Sequence, residues 1–581
     1  MEKFFELILR RRWLVAVVFL IVSAFGIYAW NQLSVDAYPD IADVTVQVVT
    51  QVPGLAAEEM EQQVTIPLER ALNGIPSLEM MRSNNTFGIS TIMLVFKDGT
   101  EDYWARQRVR ECIGDVDLPY DAVPELNPLT SPTGEVFRYI LVSDNHSLRE
   151  LTDINKWEVI PRLKQISGVA DVSNYGGITT QFQLELDPDM LQKYDVSLSD
   201  VEESIELNNS NAGGSMLTRG DQSYVVRGEG LISDLSDMGN IVVKNDGAAP
   251  ILLSDLGTLR YGNLERKGIL GFLNDDYDYR DGVEGIVQIL RYQNPSEVLE
   301  KIHEAVDDMN SDVLPSGVKI YPFLDRTDLV NTTLHTVAHT LLFGMLLVIG
   351  VLLLFLRSPR SALLVAITIP ISLLIAFIMM KLTGIPANLL SLGAIDFGIL
   401  VDGAIVMMET ILKKREDHPD LPLAGRDIVD RIAKVAKPIF FSTTIIIVAY
   451  IPLFAFERIE KKLFTPMAFT VGYALAGALA VALILIPGMG YALYKKPQKV
   501  FRNRFIETLT EKYKTVTENS ISNSRFVFTS IPLILAIVAG LVVAVGKDFL
   551  PTLDEGGIWI QVQTPPGISL ERSAEMADAL R

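Results

Sequence analysis

The sequence predicts an α+β membrane protein, in which a transmembrane helix bundle carries ferredoxin-like βαβ subdomains outside the membrane. Of the 581 residues, 49% are hydrophobic, and the mean hydropathy is +0.27, which is typical of chains with long apolar runs. Residues 31–334 hold 50 acidic and 23 basic residues, a net charge of −27, whereas the rest of the chain carries +7. An acidic, water-soluble block therefore interrupts a basic and apolar chain.

The composition also excludes several classes of protein. The negative charge of the soluble block excludes a basic nucleic-acid binder. The single cysteine, Cys112, excludes a disulfide framework and a cysteine-based zinc module. The sequence contains no Gly-Lys-Ser/Thr phosphate loop, so an ATP-driven mechanism has no support.

Seven apolar runs are long enough to cross a bilayer, which requires about 20 residues. They are Trp13–Trp30, His335–Phe355, Ala362–Leu382, Ala387–Leu412, Ala436–Phe456, Pro466–Leu493 and Phe526–Val545. The first run follows three arginines and has no small-residue cleavage site after it, so we interpret it as an uncleaved anchor.

Basic residues predict the orientation of these runs. The N-terminus, the second-to-third connection with Arg357 and Arg360, the connection 413–437 and the connection 494–525 are all rich in Lys and Arg. These connections fall on one side, which the positive-inside rule makes cytoplasmic. The predicted organisation is therefore a cytoplasmic N-terminus with the first transmembrane run (1–30), an external block (31–334), runs two to six (335–493), a cytoplasmic amphipathic connection (494–525), run seven (526–546) and the start of a second external block (547–581).

Within the external block, the elements alternate in a split βαβ order. The first set comprises strand Val44–Thr50, helix Ala56–Leu72, strands Leu78–Arg82 and Ile89–Phe96, and helix Glu101–Cys112. The second set begins with strand Phe137–Val142, helix Leu148–Ile166 and strand Gln181–Leu186. The Gly-rich stretch Asn211–Gly230 predicts an extended loop or hairpin.

An internal repeat relates the two external blocks. Val35–Pro39 follows the first run and Lys547–Pro551 follows the seventh, with Asp36 and Asp548 offset by 512 residues. Only about 69 residues of the second copy are present, so the chain is expected to be the N-terminal part of a longer transporter.

The fourth run holds three carboxylates, Asp396, Asp402 and Glu409. Each is costly at the bilayer centre, by about 2.5–3.5 kcal/mol, so an intramembrane carboxylate indicates function, most often a proton relay. On a regular helix, Asp402 and Glu409 fall within about 20° of each other, and Asp396 lies about 120° round from Asp402. The alternative for Asp396 and Glu409 is a helix-end carboxylate solvated at the membrane interface. Ser442, Thr443 and Thr444 in the fifth run are expected to bond either to these carboxylates or to their own helix backbone.

The stretch Asp396-Phe397-Gly398-x-x-Val401-Asp402-Gly403-Ala404, followed by Glu409, resembles the fourth-helix signature of the heavy-metal efflux branch of the resistance-nodulation-division (RND) superfamily. The resemblance implies a homotrimeric, proton-driven exporter in the bacterial inner membrane, with a periplasmic external block and no cofactor. It also implies a periplasmic adaptor and an outer-membrane channel as partners. Asp402 would be the principal proton carboxylate, assisted by Asp396 and Glu409.

With an Asp at the first position of this signature, the chain resembles the family members that export divalent zinc, cobalt, nickel or cadmium. Two alternatives remain: a Cu(I)/Ag(I) exporter of the same family, and a truncated scaffold that does not transport. Met576 is the candidate metal ligand, because thioethers bind soft ions and related copper exporters place a cleft methionine on this helix. His335 and His339 have a spacing that can hold a metal, although we favour interfacial helix capping.

Overall fold

The computed structural model describes residues 1–33, 35–36, 40–131, 134–245, 249–355, 358–417, 422–497, 504–522, 524–545, 558–565 and 567–580. Several predicted features lie outside these residues: Arg357, the repeat motif Lys547–Pro551 and residues 37–39 of its first copy.

The first α/β unit (residues 45–126) contains a four-stranded sheet, made of the three predicted strands and a fourth strand that was not predicted, Glu125–Leu126. Its strands are β1 (Thr45–Gln51), β2 (Leu78–Thr86), β3 (Ile89–Phe96) and β4 (Glu125–Leu126), arranged in the order β2-β3-β1-β4 with antiparallel neighbours. One helix follows β1 and another, Asp102–Gly114, follows β3. Alternate residues of β1, including Val46 and Val48, are buried because successive strand side chains point to opposite faces.

The second α/β unit (residues 135–176 and 283–325) repeats this order. Strands β5 (Glu135–Val142), β6 (Val169–Gly176), β7 (Val283–Ile289) and β8 (Lys319–Asp325) form the sheet β8-β5-β7-β6, and helix Pro295–Asp308 precedes β8. The prediction that Gln181–Leu186 belongs to this sheet is wrong. The observed strand Thr180–Leu186 pairs with Gly257–Asn263, inside the segment inserted between β6 and β7.

The Gly-rich stretch forms the predicted hairpin. Strands Met216–Arg219 and Gln222–Val225 pair with each other, and both are exposed along their length.

Two helices predicted as uniform contain π-helical turns. The first runs as Ala57–Met60, Glu61–Thr65 and Ile66–Leu72, and the second as Leu148–Ile154, Asn155–Val159 and Ile160–Lys164. In both, the wide middle turn precedes an Ile-Pro pair, as does the π turn Val481–Leu485. A proline ring clashes with the carbonyl four residues earlier and offers no N–H, so a wider turn relieves the clash.

Six helices of the described residues are long and apolar enough to cross a membrane. They are Arg12–Asn31, Ala338–Phe355, Pro359–Thr383, Leu390–Asp417, Gly425–Ala455 and Arg458–Tyr494. The predicted seventh run lies in helix Ser524–Ala544, whose apolar part Phe528–Ala544 is shorter than these six. The predicted connection 494–525 contains the helix Arg504–Ser522. Several helices extend beyond their predicted apolar runs, because polar residues continue the helix at the ends: one begins at Arg326 and another at Gly425.

The helices Arg12–Asn31 and Thr368–Thr383 approach each other closely at Gly26. A Cβ on Gly26 would lie 2.5 Å from the Leu374 Cβ and 2.9 Å from the Leu374 carbonyl oxygen. We therefore expect Gly26→Val to lower the free energy of unfolding by about 1–3 kcal/mol, the usual cost of overpacking. Thermal unfolding of the detergent-solubilised protein measures this change.

Gly350→Val is the matched control, because it places the same side chain on another apolar helix, where no atom of another element in the described part of the chain lies within 4 Å of the added Cβ. A Gly26 variant as stable as the Gly350 variant would contradict the close packing of these two helices.

Candidate functional site

The fourth apolar span is broken at Asp396, the first of its three carboxylates. A short helix, Leu389–Gly393, ends there, and a second helix, Phe397–Asp417, which we call the carboxylate helix, begins after Asp396. The Asp396 Oδ1 accepts a hydrogen bond from the Gly398 N–H at 2.8 Å, as an N-cap residue does. The predicted continuous helix through Asp396 is therefore wrong, and the angle of 120° between Asp396 and Asp402 does not apply.

Asp402 and Glu409 lie on one exposed side of the carboxylate helix. Gly398, Asp402, Val406, Glu409 and Lys413 are all exposed and follow each other at spacings of three or four residues. We call this row the open stripe. Spacings of three and four residues place side chains on one helix face, so the shared face of Asp402 and Glu409 is as the sequence predicts.

The opposite side of the carboxylate helix is packed into the bundle. Val401, Ala404, Met407, Met408 and Ile411 are all at most 1% exposed. Apolar packing on the opposite face of the carboxylate helix thus determines the direction in which the open stripe faces.

Glycine at position 403, next to Asp402, permits two other helices to approach. A Cβ on Gly403 would lie 3.1 Å from Cγ2 of Ile439 and 3.3 Å from Cβ of Ala482. Ala482 belongs to the π turn Val481–Leu485, within the span Arg458–Tyr494, which we call the long helix. Nearer the end of both helices, a Cβ on Gly490 would lie 2.8 Å from Cδ1 of Ile411. The long helix therefore follows the carboxylate helix closely over about two turns.

The hydroxyl groups of the fifth run bond to their own helix. Ser442 donates to the Ile439 carbonyl at 3.0 Å, and Thr444 donates to the Phe440 carbonyl at 2.7 Å. Of the two alternatives open in the sequence, the structure shows backbone bonding for these two residues.

Three methionines within the bundle are packed in its apolar core. Met380, Met407 and Met408 are 0% exposed within the main apolar core. Met576, the predicted metal ligand, lies on helix Leu570–Asp578 and is 41% exposed. Among the described residues, no group of three or more His, Cys, Asp and Glu side chains could hold a metal ion.

His335 and His339 stack with ring centroids 6.4 Å apart. They lie inside a helix that begins at Arg326, so the interpretation that they cap the start of this helix is wrong.

A charged cluster that the sequence did not reveal joins the two α/β units. Arg291, in the segment after β7, is 6% exposed at its side chain. Its Nε donates to Asp40 Oδ2 and its Nη1 donates to Asp102 Oδ1, both at 2.8 Å, while Nη2 donates to the Ala42 carbonyl at 2.6 Å. The Tyr292 hydroxyl donates to the second oxygen of Asp102 at 2.9 Å. One guanidinium thus connects the second unit to the segment that precedes the first unit and to the first unit's helix Asp102–Gly114.

The pKa values of Arg291 and Tyr292 depend on desolvation and on the neighbouring carboxylates. Local desolvation of the hydroxyl group raises the pKa of Tyr292 to about 12, and the hydrogen bond to Asp102 adds to this effect, while most of the ring remains exposed. Burial alone would lower the pKa of Arg291, but the charges of Asp40 and Asp102 raise it overall. Arg291 therefore stays charged where it joins the two units.

In its overall architecture, the chain resembles solved transporters. It matches a crystal structure of a heavy metal efflux pump with a TM-score of 0.88 and 54% sequence identity, over 100% of this chain and 56% of that chain. Long apolar helices combined with mixed α/β regions, as seen here, form the RND transporter fold.

The sequence comparisons agree with this fold and show the family. The family model described as AcrB/AcrD/AcrF matches residues 4–581, and the chain belongs to this family. It is 33% identical over 593 residues to the cobalt-zinc-cadmium resistance protein CzcA of Cupriavidus metallidurans, which covers 99% of this chain and 55% of the relative. It is 35% identical to the cation efflux system protein CusA of Escherichia coli, over 98% of this chain and 56% of the relative. The chain thus spans about half the length of these relatives, and the resemblance seen in the carboxylate motif is confirmed.

Proposed function

We propose that this chain is part of a proton-driven exporter of divalent heavy-metal cations in the bacterial inner membrane. The observation that carries the proposal is the open stripe, which places Asp402 and Glu409 together on one face of an apolar helix. Carboxylates in such a position carry a free-energy cost, so their presence indicates a function, most often the movement of protons or ions. The α/β units then lie in the periplasm, and their shared strand order supports assigning them to the ferredoxin-like type.

In this proposal, Asp402 binds and releases the transported proton, and Asp396 and Glu409 assist it. Asp402 lies on the open stripe and is exposed in the described part of the chain. The resemblance supplies the remaining partners of the relay from the second half of the transporter. The same resemblance implies a homotrimer that works with a periplasmic adaptor and an outer-membrane channel.

The substrate class follows from the motif and from the names of relatives. Asp396 precedes Val401-Asp402-Gly403 as in divalent-cation exporters, and similar proteins are named for resistance to cobalt, zinc, cadmium and nickel. The acidic external block, with its net charge of −27, would also favour cations electrostatically.

Metal resistance tests this function. In a metal-sensitive bacterium that expresses the full-length protein, we expect greater tolerance to zinc, cobalt, nickel or cadmium and none to silver or copper. Tolerance to silver and copper alone would instead support the Cu(I)/Ag(I) alternative. Unchanged tolerance to every metal, with the protein present in the membrane, would support the scaffold alternative.

Asp396 has two separable roles, because an N-cap needs a hydrogen-bond acceptor whereas a relay needs an ionisable group. Asn caps helices as well as Asp does, so Asp396→Asn removes the charge and keeps the cap. We expect this variant to lower the metal efflux rate several-fold while its thermal stability stays within about 0.5 kcal/mol. Asp396→Ala should additionally lose about 1 kcal/mol of stability, measured by thermal unfolding. Normal efflux in the Asp396→Asn variant would show that Asp396 only caps the helix and takes no part in the relay.

A further inference from the structure

The external end of the long helix carries three cations on the side of the membrane where few are expected. Residues 457–465 connect the fifth and sixth predicted runs, and this connection lies outside in the predicted orientation. Positive charges are concentrated in cytoplasmic connections of membrane proteins. Arg458, Lys461 and Lys462, which we call the basic segment, depart from that rule.

Each cation of the basic segment pairs with a different acidic residue of, or adjoining, the first α/β unit. Arg458 forms an ion pair with Glu79. The Lys461 Nζ lies 3.5 Å from Asp98 Oδ2, and the Lys462 Nζ lies 3.1 Å from Asp43 Oδ1.

The three acidic partners lie at the ends of three neighbouring strands. Asp43 precedes β1, Glu79 lies near the start of β2, and Asp98 follows β3. Because β1, β2 and β3 are adjacent in the sheet, the basic segment contacts one end of the sheet at three points. Three contacts at separate points restrain orientation as well as distance.

The backbone conformation at Arg458 indicates that its contact with the first α/β unit is fixed by the surrounding structure. Arg458 has a φ of 53°, in the left-handed region that residues with a side chain rarely adopt. Such conformations persist where the surrounding structure imposes them. Here Arg458 begins the long helix and its side chain is held by Glu79.

The basic segment also reaches the charged joint between the two α/β units. The Ala42 carbonyl accepts a hydrogen bond from Lys462 at 2.9 Å and another from Arg291 at 2.6 Å. A single peptide group therefore links the long helix to the arginine that connects both units.

The other half of the long helix packs on the carboxylate helix, with Ala482 against Gly403 and Gly490 against Ile411. The long helix thus contacts Gly403, the neighbour of Asp402, in its second half and the first α/β unit at its external end. Exposed ion pairs contribute little to stability, typically less than about 1 kcal/mol each, so stability alone gives no reason for three such pairs here.

We propose that the basic segment is a docking contact through which the long helix and the first α/β unit move together during transport. This proposal rests on the proposed function. Movement of the carboxylate helix on proton binding would displace the long helix, and the docking contact would carry that displacement into the first unit.

Charge exchange tests the coupling. We expect the triple variant Arg458→Glu, Lys461→Glu, Lys462→Glu to lower metal efflux by about tenfold or more in the full-length protein. Adding Asp43→Lys, Glu79→Lys and Asp98→Lys should restore efflux to within about threefold of the wild type, because the pairs re-form with opposite polarity. Rescue by exchanged charges separates a specific contact from general damage.

The matched control reverses three cations that do not bridge the basic segment and the first unit. They are Arg108, paired with Glu111 in the first unit; Lys164, paired with Asp171 in the second unit; and Arg260, paired with Glu185 in the inserted segment. This control changes the net charge equally and leaves the docking contact intact. We expect this control to retain efflux.

A cross-linking measurement reports docking without transport. In a background with Cys112→Ala and Asp402→Asn, cysteines at positions 43 and 462 should be joined by a short bismaleimide. Adding Arg458→Glu and Lys461→Glu should lower the yield severalfold. An unchanged yield would overturn the docking contact, and a lowered yield with normal efflux in the triple variant would overturn the coupling. If Asp402→Asn itself retains efflux, the relay of the proposed function fails, and cross-linking still decides the docking contact.

Discussion

Replacing Arg291 with methionine is expected to lower the free energy of unfolding of the α/β region by about 3–5 kcal/mol. Methionine fills a similar volume but provides no charge and no donors. The substitution leaves two carboxylates, Asp40 and Asp102, without their cation, and the Asp102 side chain is only 7% exposed. Removing one partner of a buried ion pair is costly because the remaining charge stays desolvated. Chemical unfolding followed by fluorescence in mild detergent measures the change.

Arg260→Met is the matched control for this substitution. Arg260 pairs with Glu185 across two strands, but both side chains are more than half exposed. We expect a change below about 1 kcal/mol there, as for other exposed ion pairs. Equal effects of the two substitutions would contradict the assignment of Arg291 as the joint between the units.

Replacing Asp402 with asparagine is expected to abolish metal resistance. Asparagine has nearly the same shape as aspartate but does not bind and release a proton, so the rear packing of the carboxylate helix should be preserved. Resistance in a metal-sensitive bacterium and the oligomeric state of the purified full-length protein give the two readouts. We expect resistance to fall to that of cells without the protein, whereas trimers still form.

Asp417→Asn is the control on the same helix. Asp417 lies at the end of the carboxylate helix and pairs with Arg431 at 2.9 Å, so its substitution removes a carboxylate from the helix but not from the open stripe. Resistance should persist in this variant. Wild-type resistance in the Asp402→Asn variant would contradict the assignment of Asp402 to the proton relay.

The sequence predicted those features that depend on local periodicity. Asp402 and Glu409 share a face because one regular helix contains both, and their separation of seven residues determines the angle between them. Alternation in Thr45–Gln51 similarly predicted a strand with one buried face. The residue types of the Gly-rich stretch likewise predicted an extended loop or a hairpin, and the hairpin is observed.

The sequence did not predict features that depend on a single capping bond or on distant partners. The break at Asp396 depends on one hydrogen bond within an otherwise apolar run, and hydropathy does not distinguish this residue from one inside the helix. Arg291 is 251 residues from Asp40, so no local pattern relates them. An insertion between β6 and β7 likewise made strand Thr180–Leu186 look like part of the second sheet. For the basic segment, the sequence offered one signal, which was the presence of three cations in a connection predicted to lie outside.

Proton-coupled metal movement is the most direct test of the central claim. Membrane vesicles that contain the full-length protein would be given a pH gradient, and zinc movement and proton release would be recorded together. We predict zinc movement that stops when the gradient is collapsed and is absent in the Asp402→Asn variant. Zinc movement that persists without the gradient, or that is equal in the wild type and in Asp402→Asn, would contradict a proton relay centred on Asp402.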